Sequence, residues 1–202
     1  MDQLKTDSAI VILAAGGSAR LGTPKQLLKY NGETLLQRAI NTAKGSEAGK
    51  VIVVLGASHQ KIISETDIRG TDLVVNPGWQ SGMSSSIVSG IKALKELAPV
   101  PSSVILVVCD QPFVTSALLN TLISEHRSTG KQIIACTYEG VMGTPVLFSS
   151  RLYDQLLVLR GNAGAKKIIQ ANKDKVATVT FELGATDVDT IGDYESLINK
   201  NP

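Results

Sequence analysis

The sequence predicts an α/β fold, a Rossmann-like three-layer α/β/α domain built around a mostly parallel sheet. Short β-branched runs recur along the chain with helix-like segments between them, as in successive βαβ units. These runs are continuously apolar, which is typical of strands covered by helices on both faces. The expected strands cover residues 10–13, 51–55, 73–75, 104–108, 132–137 and 176–181.

The helices between these strands have recognisable starts. Thr34 and Gln37 have the spacing of a capping box, and Thr115 and Thr190 are expected to cap the helices that follow them. The serines at 84–86 precede an amphipathic run and predict another helix start. Helices and strands therefore alternate, as the βαβ interpretation requires.

Composition narrows the class of protein. The 202 residues are 43% hydrophobic and 19% charged, which suits one globular domain over residues 1–202. A net charge of +2, without a basic block, argues against a nucleic-acid surface. No apolar stretch approaches the roughly 20 residues of a membrane span, and residues 1–8 lack a signal-peptide layout. We expect a cytoplasmic protein in which Cys109 and Cys136 are buried free thiols.

The strongest functional signal is the loop after the first strand. It places small residues, then an arginine and a lysine, in one strand-to-helix connection. Small residues let backbone N–H groups approach an anion, and the cations offset the charge of a triphosphate. The alternative, a surface loop that is glycine-rich by chance, explains neither the position nor the paired cations. The expected nucleotide-binding residues here are Leu13, Ala14, Ala15, Gly16, Gly17, Arg20 and Lys25.

Two commoner phosphate-binding loops do not fit this segment. A Walker A loop ends in Gly-Lys-Ser/Thr, whereas Gly22 is followed by Thr23, Pro24 and Lys25. A dinucleotide-binding loop has the pattern Gly-x-Gly-x-x-Gly, which the glycines at 16, 17 and 22 do not match. The loop is therefore of a third type.

The segment LAAGGSARLGTPKQLL at 13–28 resembles the signature of the MobA-like nucleotidyltransferases, and within them most resembles that of the molybdenum cofactor cytidylyltransferases. Five further blocks resemble the family in the same order: NPGWQSGMSS, CDQPF, GTPVLF, GNAGAK and DVDT. The resemblance implies a nucleotide-diphospho-sugar transferase-like fold. It also implies a Mg²⁺-dependent reaction of CTP with the molybdenum cofactor.

Asp110 is the first candidate metal ligand. It follows the strand at 104–108, so its carboxylate should lie at the sheet edge where the glycine-rich loop also lies, and carboxylate oxygens suit Mg²⁺. A turn role before Pro112 is the alternative. Asp187 and Asp189 precede the last helix, and the resemblance favours Asp189 as the second ligand. The alternative is that both carboxylates serve only the helix N-terminus.

Two further segments are candidates for substrate recognition. Residues 76–86 combine a turn, an exposed-type Trp79 and serines at a helix start, although such serines are also ordinary caps. The expected nucleotide-binding residues there are Asn76, Ser81, Gly82, Met83 and Ser84. The resemblance places the acceptor at Gly143, Thr144, Pro145 and Asn162; the family often has Asp at the last position, so a charge is missing here.

The implied reaction is attack by an acceptor phosphate oxygen on the α-phosphorus of the nucleotide, with release of pyrophosphate. Arg20, Lys25 and Asp110 are the expected catalytic residues, acting by positioning and charge. CTP is favoured because the related guanylyltransferases usually have glycine where this chain has Ala15. Related enzymes would pass the product to a molybdoenzyme or its maturation factor.

Two alternatives remain open. The same loop and metal would serve an acceptor that is a sugar phosphate or another small phosphorylated molecule. A protein from a different class, a molybdenum cofactor carrier or insertion factor, would bind nucleotide without turnover. Activity with the first kind of acceptor, or binding without pyrophosphate release, would distinguish them.

Overall fold

The computed structural model describes residues 6–18, 21–162 and 164–199. The strands within this part of the chain are β1 (Thr6–Ala14), β2 (Lys29–Tyr30), β3 (Glu33–Thr34), β4 (Ala48–Leu55), β5 (Asp72–Val75), β6 (Ser103–Val108), β7 (Ile133–Tyr138), β8 (Val141–Ser149) and β9 (Val176–Thr180). The helices are α1 (Leu35–Lys44), α2 (His59–Ser64), α3 (Met83–Lys95), α4 (Ser116–Thr129), α5 (Tyr153–Leu157), α6 (Lys166–Ala171) and α7 (Ile191–Asn199).

Seven strands form the central sheet, in the order β5-β4-β1-β6-β8-β7-β9. β1 pairs in parallel with β4 and β6, and β4–β5 and β7–β9 are also parallel. β8 runs antiparallel to both of its neighbours, β6 and β7. The prediction of a mostly parallel sheet is confirmed.

Both faces of the sheet are buried, each in its own apolar cluster. Ile10 and Ile12 of β1 belong to the cluster that includes residues of α1 and α4, whereas Val11 and Leu13 belong to the one that includes α3, α5 and α6. Successive residues of one strand therefore enter opposite faces, and both faces are apolar. This is the predicted three-layer arrangement.

The six expected strands are all present, but β8 was not anticipated. Gly143 and Pro145 fall inside it, and both residues are normally depleted in strands. The register of the β7–β8 pair shifts between Ala135 and Cys136, where β8 carries two additional residues at 144 and 145. A bulge therefore accommodates the proline, and it displaces this segment from the regular ladder.

Three of the four predicted helix starts are confirmed. Thr34, Thr115 and Thr190 each accept a hydrogen bond from a backbone N–H three residues later, at 3.1, 3.2 and 3.2 Å. The prediction at 84–86 was wrong, because α3 already begins at Met83 and the serines lie in its first turn. Gly82, directly before the helix, has φ +96°, a conformation that glycine adopts readily. The chain turns there, and α3 begins one residue earlier than predicted.

Cys109 and Cys136 are buried free thiols, as expected, and burial raises the pKa of each to about 12. They are therefore protonated at neutral pH. Among the described residues, none of the helices has the length and apolar character to cross a membrane.

Gly90 tests the packing of α3 on the sheet. A Cβ atom there would lie 2.5 Å from Cγ1 of Val11 and 3.2 Å from Cγ2 of Val54, both in the close-packed core. We expect Gly90→Ala to lower the free energy of unfolding by about 1–2 kcal/mol, since overpacking outweighs the gain in helix propensity. Gly192→Ala in α7, where the nearest atom is 3.8 Å away, should be neutral or slightly stabilising. Urea unfolding measures both, and equal stabilities for the two variants would contradict this packing.

Candidate active site

Three segments meet at the carboxyl edge of the parallel strands and enclose a cavity of about 400 Å³. They are the loop after β1, the segment after β5 and the end of β6. Ligands of open α/β sheets bind at this edge. Predicted residues on the cavity walls are Leu13, Ala15, Gly16, Gly17, Lys25, Gly82, Met83 and Asp110, and Trp79, Gln80, Ser86, Val108 and Asn162 also line it.

The backbone of the first loop is held by a side chain that the sequence interpretation overlooked. Gln26 is fully buried, and its Nε2 donates to the carbonyl oxygens of Ala14 (2.7 Å) and Gly16 (3.0 Å). The backbone N–H of Lys25 donates to Oγ of Ser18 at 2.8 Å. The loop is therefore preorganised, and Ala14 contributes to this through its backbone carbonyl group, which accepts from Gln26. The predicted Arg20 lies outside the described residues.

Trp79 is half-buried rather than exposed as expected. A Cβ atom on Gly17 would lie 2.8 Å from Cζ3 of its ring, and one on Gly56 would lie 2.6 Å from its Cβ. The indole therefore packs directly on two glycine backbones, one of them in the first loop. This contact fixes the segment after β5 against the first loop across the cavity.

A charged group forms one side of the cavity. Nζ of Lys25 donates to Oδ2 of Asp110, and to Oδ1 of Asp189 at 2.9 Å. The Lys25 and Asp110 side chains are only 16% and 15% exposed. Burial alone would lower the pKa of Lys25, but Asp110 and Asp189 hold it above its usual value. Lysine is therefore charged here and neutralises part of the carboxylate charge.

The carboxylates remain incompletely compensated. Asp187 keeps an exposed surface, yet the packing around its carboxyl, followed by the charges of Asp110 and Asp189, raises its pKa to about 6. Oδ1 of Asp110 is buried and has no hydrogen-bond partner within the described part of the chain. A site of this composition suits an additional cation.

The alternative role for Asp187 and Asp189, capping of the last helix, is filled by other side chains. Oδ2 of Asp193 accepts from the backbone N–H groups of Asp189 (3.1 Å) and Thr190 (2.7 Å), and Thr190 caps α7 itself. Among the described residues, however, no three His, Cys, Asp or Glu side chains are arranged to hold a metal ion by themselves. The donor set therefore fits Mg²⁺ bound by two carboxylates together with substrate oxygens.

Asn76, Ser81 and Ser84 do not line this cavity, contrary to expectation. Asn76 is buried, and its Nδ2 donates to Oγ of Ser85 (2.8 Å) and Ser86 (3.1 Å). Ser84 is fully buried, and Ser81 lies with Asn76 at a separate cavity of about 230 Å³. The Asn76 side chain therefore points into the protein, where its hydrogen bonds to two serines fix the first turn of α3, and it does not face the first cavity.

A second cavity of about 270 Å³ adjoins the first, and Met83 borders both. Two of the predicted acceptor residues, Gly143 and Thr144, line it. Pro145 is buried behind its wall, because the bulge directs the proline into the protein. Asn162 lies instead at the first cavity, close against Gly82, which has no side chain in its way.

Trp79 is the protein's single tryptophan, so its contact with Gly17 can be measured directly. Gly17→Ala should push the indole away and shift its emission to longer wavelength, because a Cβ there would overlap the ring. Gly16→Ala is the matched control, since a Cβ at that position meets nothing within 4 Å. Fluorescence spectra of the nucleotide-free proteins test this. An unchanged Gly17→Ala spectrum would show that the indole does not rest on the loop.

Comparisons with known proteins identify the family. Residues 10–176 match the MobA-like NTP transferase domain. Nicotine blue oxidoreductase of Paenarthrobacter nicotinovorans is 30% identical over 192 residues, covering 90% of this chain and 91% of the relative. The crystal structure of an Rv0371c homologue from Mycobacterium sp. strain JC1 superimposes with a TM-score of 0.84 at 32% identity and covers 97% of each chain.

One of the similar structures contains a metal. It is the manganese complex of Rv0371c from Mycobacterium tuberculosis H37Rv, with a TM-score of 0.78 and 28% identity, covering 97% of this chain and 100% of that one. Together with the family match and the geometry of the site, these likenesses settle the classification. The chain belongs to the MobA-like NTP transferase family and is a nucleotidyltransferase.

Proposed function

We propose that this chain, as one domain over residues 1–202, transfers CMP from CTP to the molybdenum cofactor with release of pyrophosphate. The observation that carries the proposal is the position of Lys25 and Asp110 in the wall of the first cavity, which contains the preorganised loop and shares Met83 with a second cavity. A nucleotide bound on the loop would present its phosphates to this group of charges. An acceptor in the second cavity would approach from the other side of Met83.

The first loop and Lys25 bind and orient the triphosphate. The backbone N–H groups at 15–17 approach the phosphates, because Gln26 holds the neighbouring carbonyl groups away from them. Lys25 and, as predicted from the sequence, Arg20 balance charge that builds up on the leaving pyrophosphate.

The reaction forms one bond and breaks one. An acceptor phosphate oxygen bonds to the α-phosphorus of CTP, and the bond from that phosphorus to the bridging oxygen of pyrophosphate breaks. The attacking oxygen is already ionised at neutral pH, so no residue has to remove a proton. Catalysis by this chain then consists of alignment and charge stabilisation.

Asp110 and Asp189 are the residues that would hold Mg²⁺. The ion would neutralise triphosphate oxygens and orient the α-phosphate. The buried Oδ1 of Asp110, which accepts no hydrogen bond from any residue that the structure describes, is the oxygen best placed to become a ligand. Lys25 would then transfer part of its hydrogen bonding from the carboxylates to the phosphates.

The choice of CTP rests on Ala15, which is nearly buried and lines the first cavity. Its methyl group narrows the space beside the loop, which favours the smaller pyrimidine base. The product would be delivered to a molybdoenzyme or its maturation factor in the cytoplasm.

A redox reaction is the second candidate, because the relative from Paenarthrobacter nicotinovorans is named an oxidoreductase and matches 90% of this chain. It requires no pyrophosphate release. The two candidates therefore separate in a single assay with the four nucleoside triphosphates.

The charged group gives the first test of the proposed function. With Mg²⁺, the molybdenum cofactor and each nucleoside triphosphate in turn, we expect pyrophosphate release with CTP. Asp110→Asn should lower the rate by about 100-fold or more, because it removes a carboxylate beside the reacting phosphates. Asp154→Asn is the control, since Asp154 pairs with Lys95 on the surface and lies on α5. Equal rates in the two variants, or no release with any nucleotide, would overturn the proposal.

Lys25→Met tests the cation site without turnover. Removing the ammonium leaves Asp110 and Asp189 without their shared partner, so the variant in EDTA should be less stable than the parent by about 1–3 kcal/mol. Millimolar Mg²⁺ should then raise its melting temperature more than that of the parent, because a cation replaces the lysine. Asp110→Asn should respond weakly to Mg²⁺. An identical Mg²⁺ response in all three proteins would argue against a cation at these carboxylates.

A further inference from the structure

Tyr138, at the end of β7, lines the second cavity and was not singled out from the sequence. Its ring is seated between two glycines. A Cβ atom on Gly143 would overlap the phenol oxygen, and one on Gly184 would overlap the ring edge. Phe181 packs edge-on against the same ring, with centroids 6.4 Å apart. Gly143, expected to contact the acceptor, thus makes room for Tyr138.

A buried hydrogen-bond network lies beside the phenol of Tyr138. Gln111 is almost fully buried, and its Nε2 donates to the carbonyl oxygen of Gly184 at 2.7 Å. Its Oε1 accepts from Oγ1 of Thr144 at 3.0 Å, and both side chains are close enough to the phenol to offset part of the rise in its pKa that burial causes. Burial raises the pKa of Tyr138, so the phenol keeps its proton at neutral pH. The network therefore fixes a hydrogen-bonding group at the wall of the cavity.

The rest of this cavity offers few polar groups. Met83, Met142, Val146 and Ile169 form much of its wall, and Lys166 adds a positive charge. A polyol placed here would leave many of its hydroxyl groups without partners, which costs binding energy for each one. A weakly polar body with one hydrogen-bonding edge and a negative charge fits the walls better.

We propose that Tyr138 recognises the acceptor through its hydroxyl group, with Gln111 and Thr144 as positioning residues, and that the acceptor has a weakly polar body with a hydrogen-bonding edge. The inference rests on the proposed function for the acceptor's phosphate and for its reaction. It goes further by assigning acceptor selection to a residue outside the nucleotide cavity.

Tyr138→Phe removes the hydroxyl and retains the ring. We expect the KM for the molybdenum cofactor to rise about five- to tenfold, the loss of one hydrogen bond, with the KM for CTP unchanged. Tyr153→Phe is the matched control, because it also removes a tyrosine hydroxyl, but one that is buried away from both cavities and donates to the carbonyl oxygen of Pro101 at 3.0 Å. It should lower thermal stability and leave both KM values unchanged.

Binding of the molybdenum cofactor without CTP provides a second readout that needs no turnover. Weaker binding to Tyr138→Phe than to the parent, even if no pyrophosphate is released, would support the inference while overturning the proposed function. Pyrophosphate release with equal acceptor KM values in the parent and Tyr138→Phe would support the function and overturn the inference. Failure of the parent to bind the cofactor, or preferential binding of glucose 1-phosphate, would overturn the assigned acceptor class and with it the role of Tyr138.

Discussion

The contact of Lys25 with Asp110 and Asp189 joins three distant parts of the chain at one point. The lysine follows the first loop, Asp110 follows β6, the central strand of the sheet, and Asp189 precedes the last helix. Like charges converge here in a partly buried place, so the lysine is needed wherever no other cation is bound. The geometry of the first cavity depends on this balance. Lys25 therefore holds the site together and also places a positive charge in the cavity wall.

Two aromatic rings shape the two cavities in the same way. Trp79 rests on Gly17 and Gly56, and Tyr138 rests between Gly143 and Gly184. In each case the glycines supply space rather than unusual backbone angles, since none of the four has a positive φ. Glycines in this protein therefore have a packing role at the site that is separate from close approach to phosphate. Adding a methyl group at any of them would move a cavity wall.

Much of the fold could be predicted because buried parallel strands have an apolar pattern that needs no context. The carboxyl-edge location of the first loop and Asp110 followed from the same pattern. β8 was missed because Gly143 and Pro145 are residue types that are uncommon in strands. The segment is a strand because it pairs with β6 and β7. Gln26, Gln111 and Tyr138 were missed because their roles depend on tertiary contacts, with partners up to 73 positions away in the sequence. Asn76 and Ser84, which were predicted to bind nucleotide, are buried, and a polar side chain in the sequence gives no sign of whether it points inward.

The reversed direction of β8 divides the site between two kinds of scaffold. The first cavity lies at the ends of β1 and β6, which pair in parallel. The second cavity is formed largely by the β7–β8 hairpin with its bulge. A hairpin is a local unit, closed here by Glu139 and Gly140, and its sequence can change without altering the order of the parallel strands. The two cavities therefore rest on separate structural supports, and a change of sequence in the hairpin would alter the second cavity while the parallel strands keep the first.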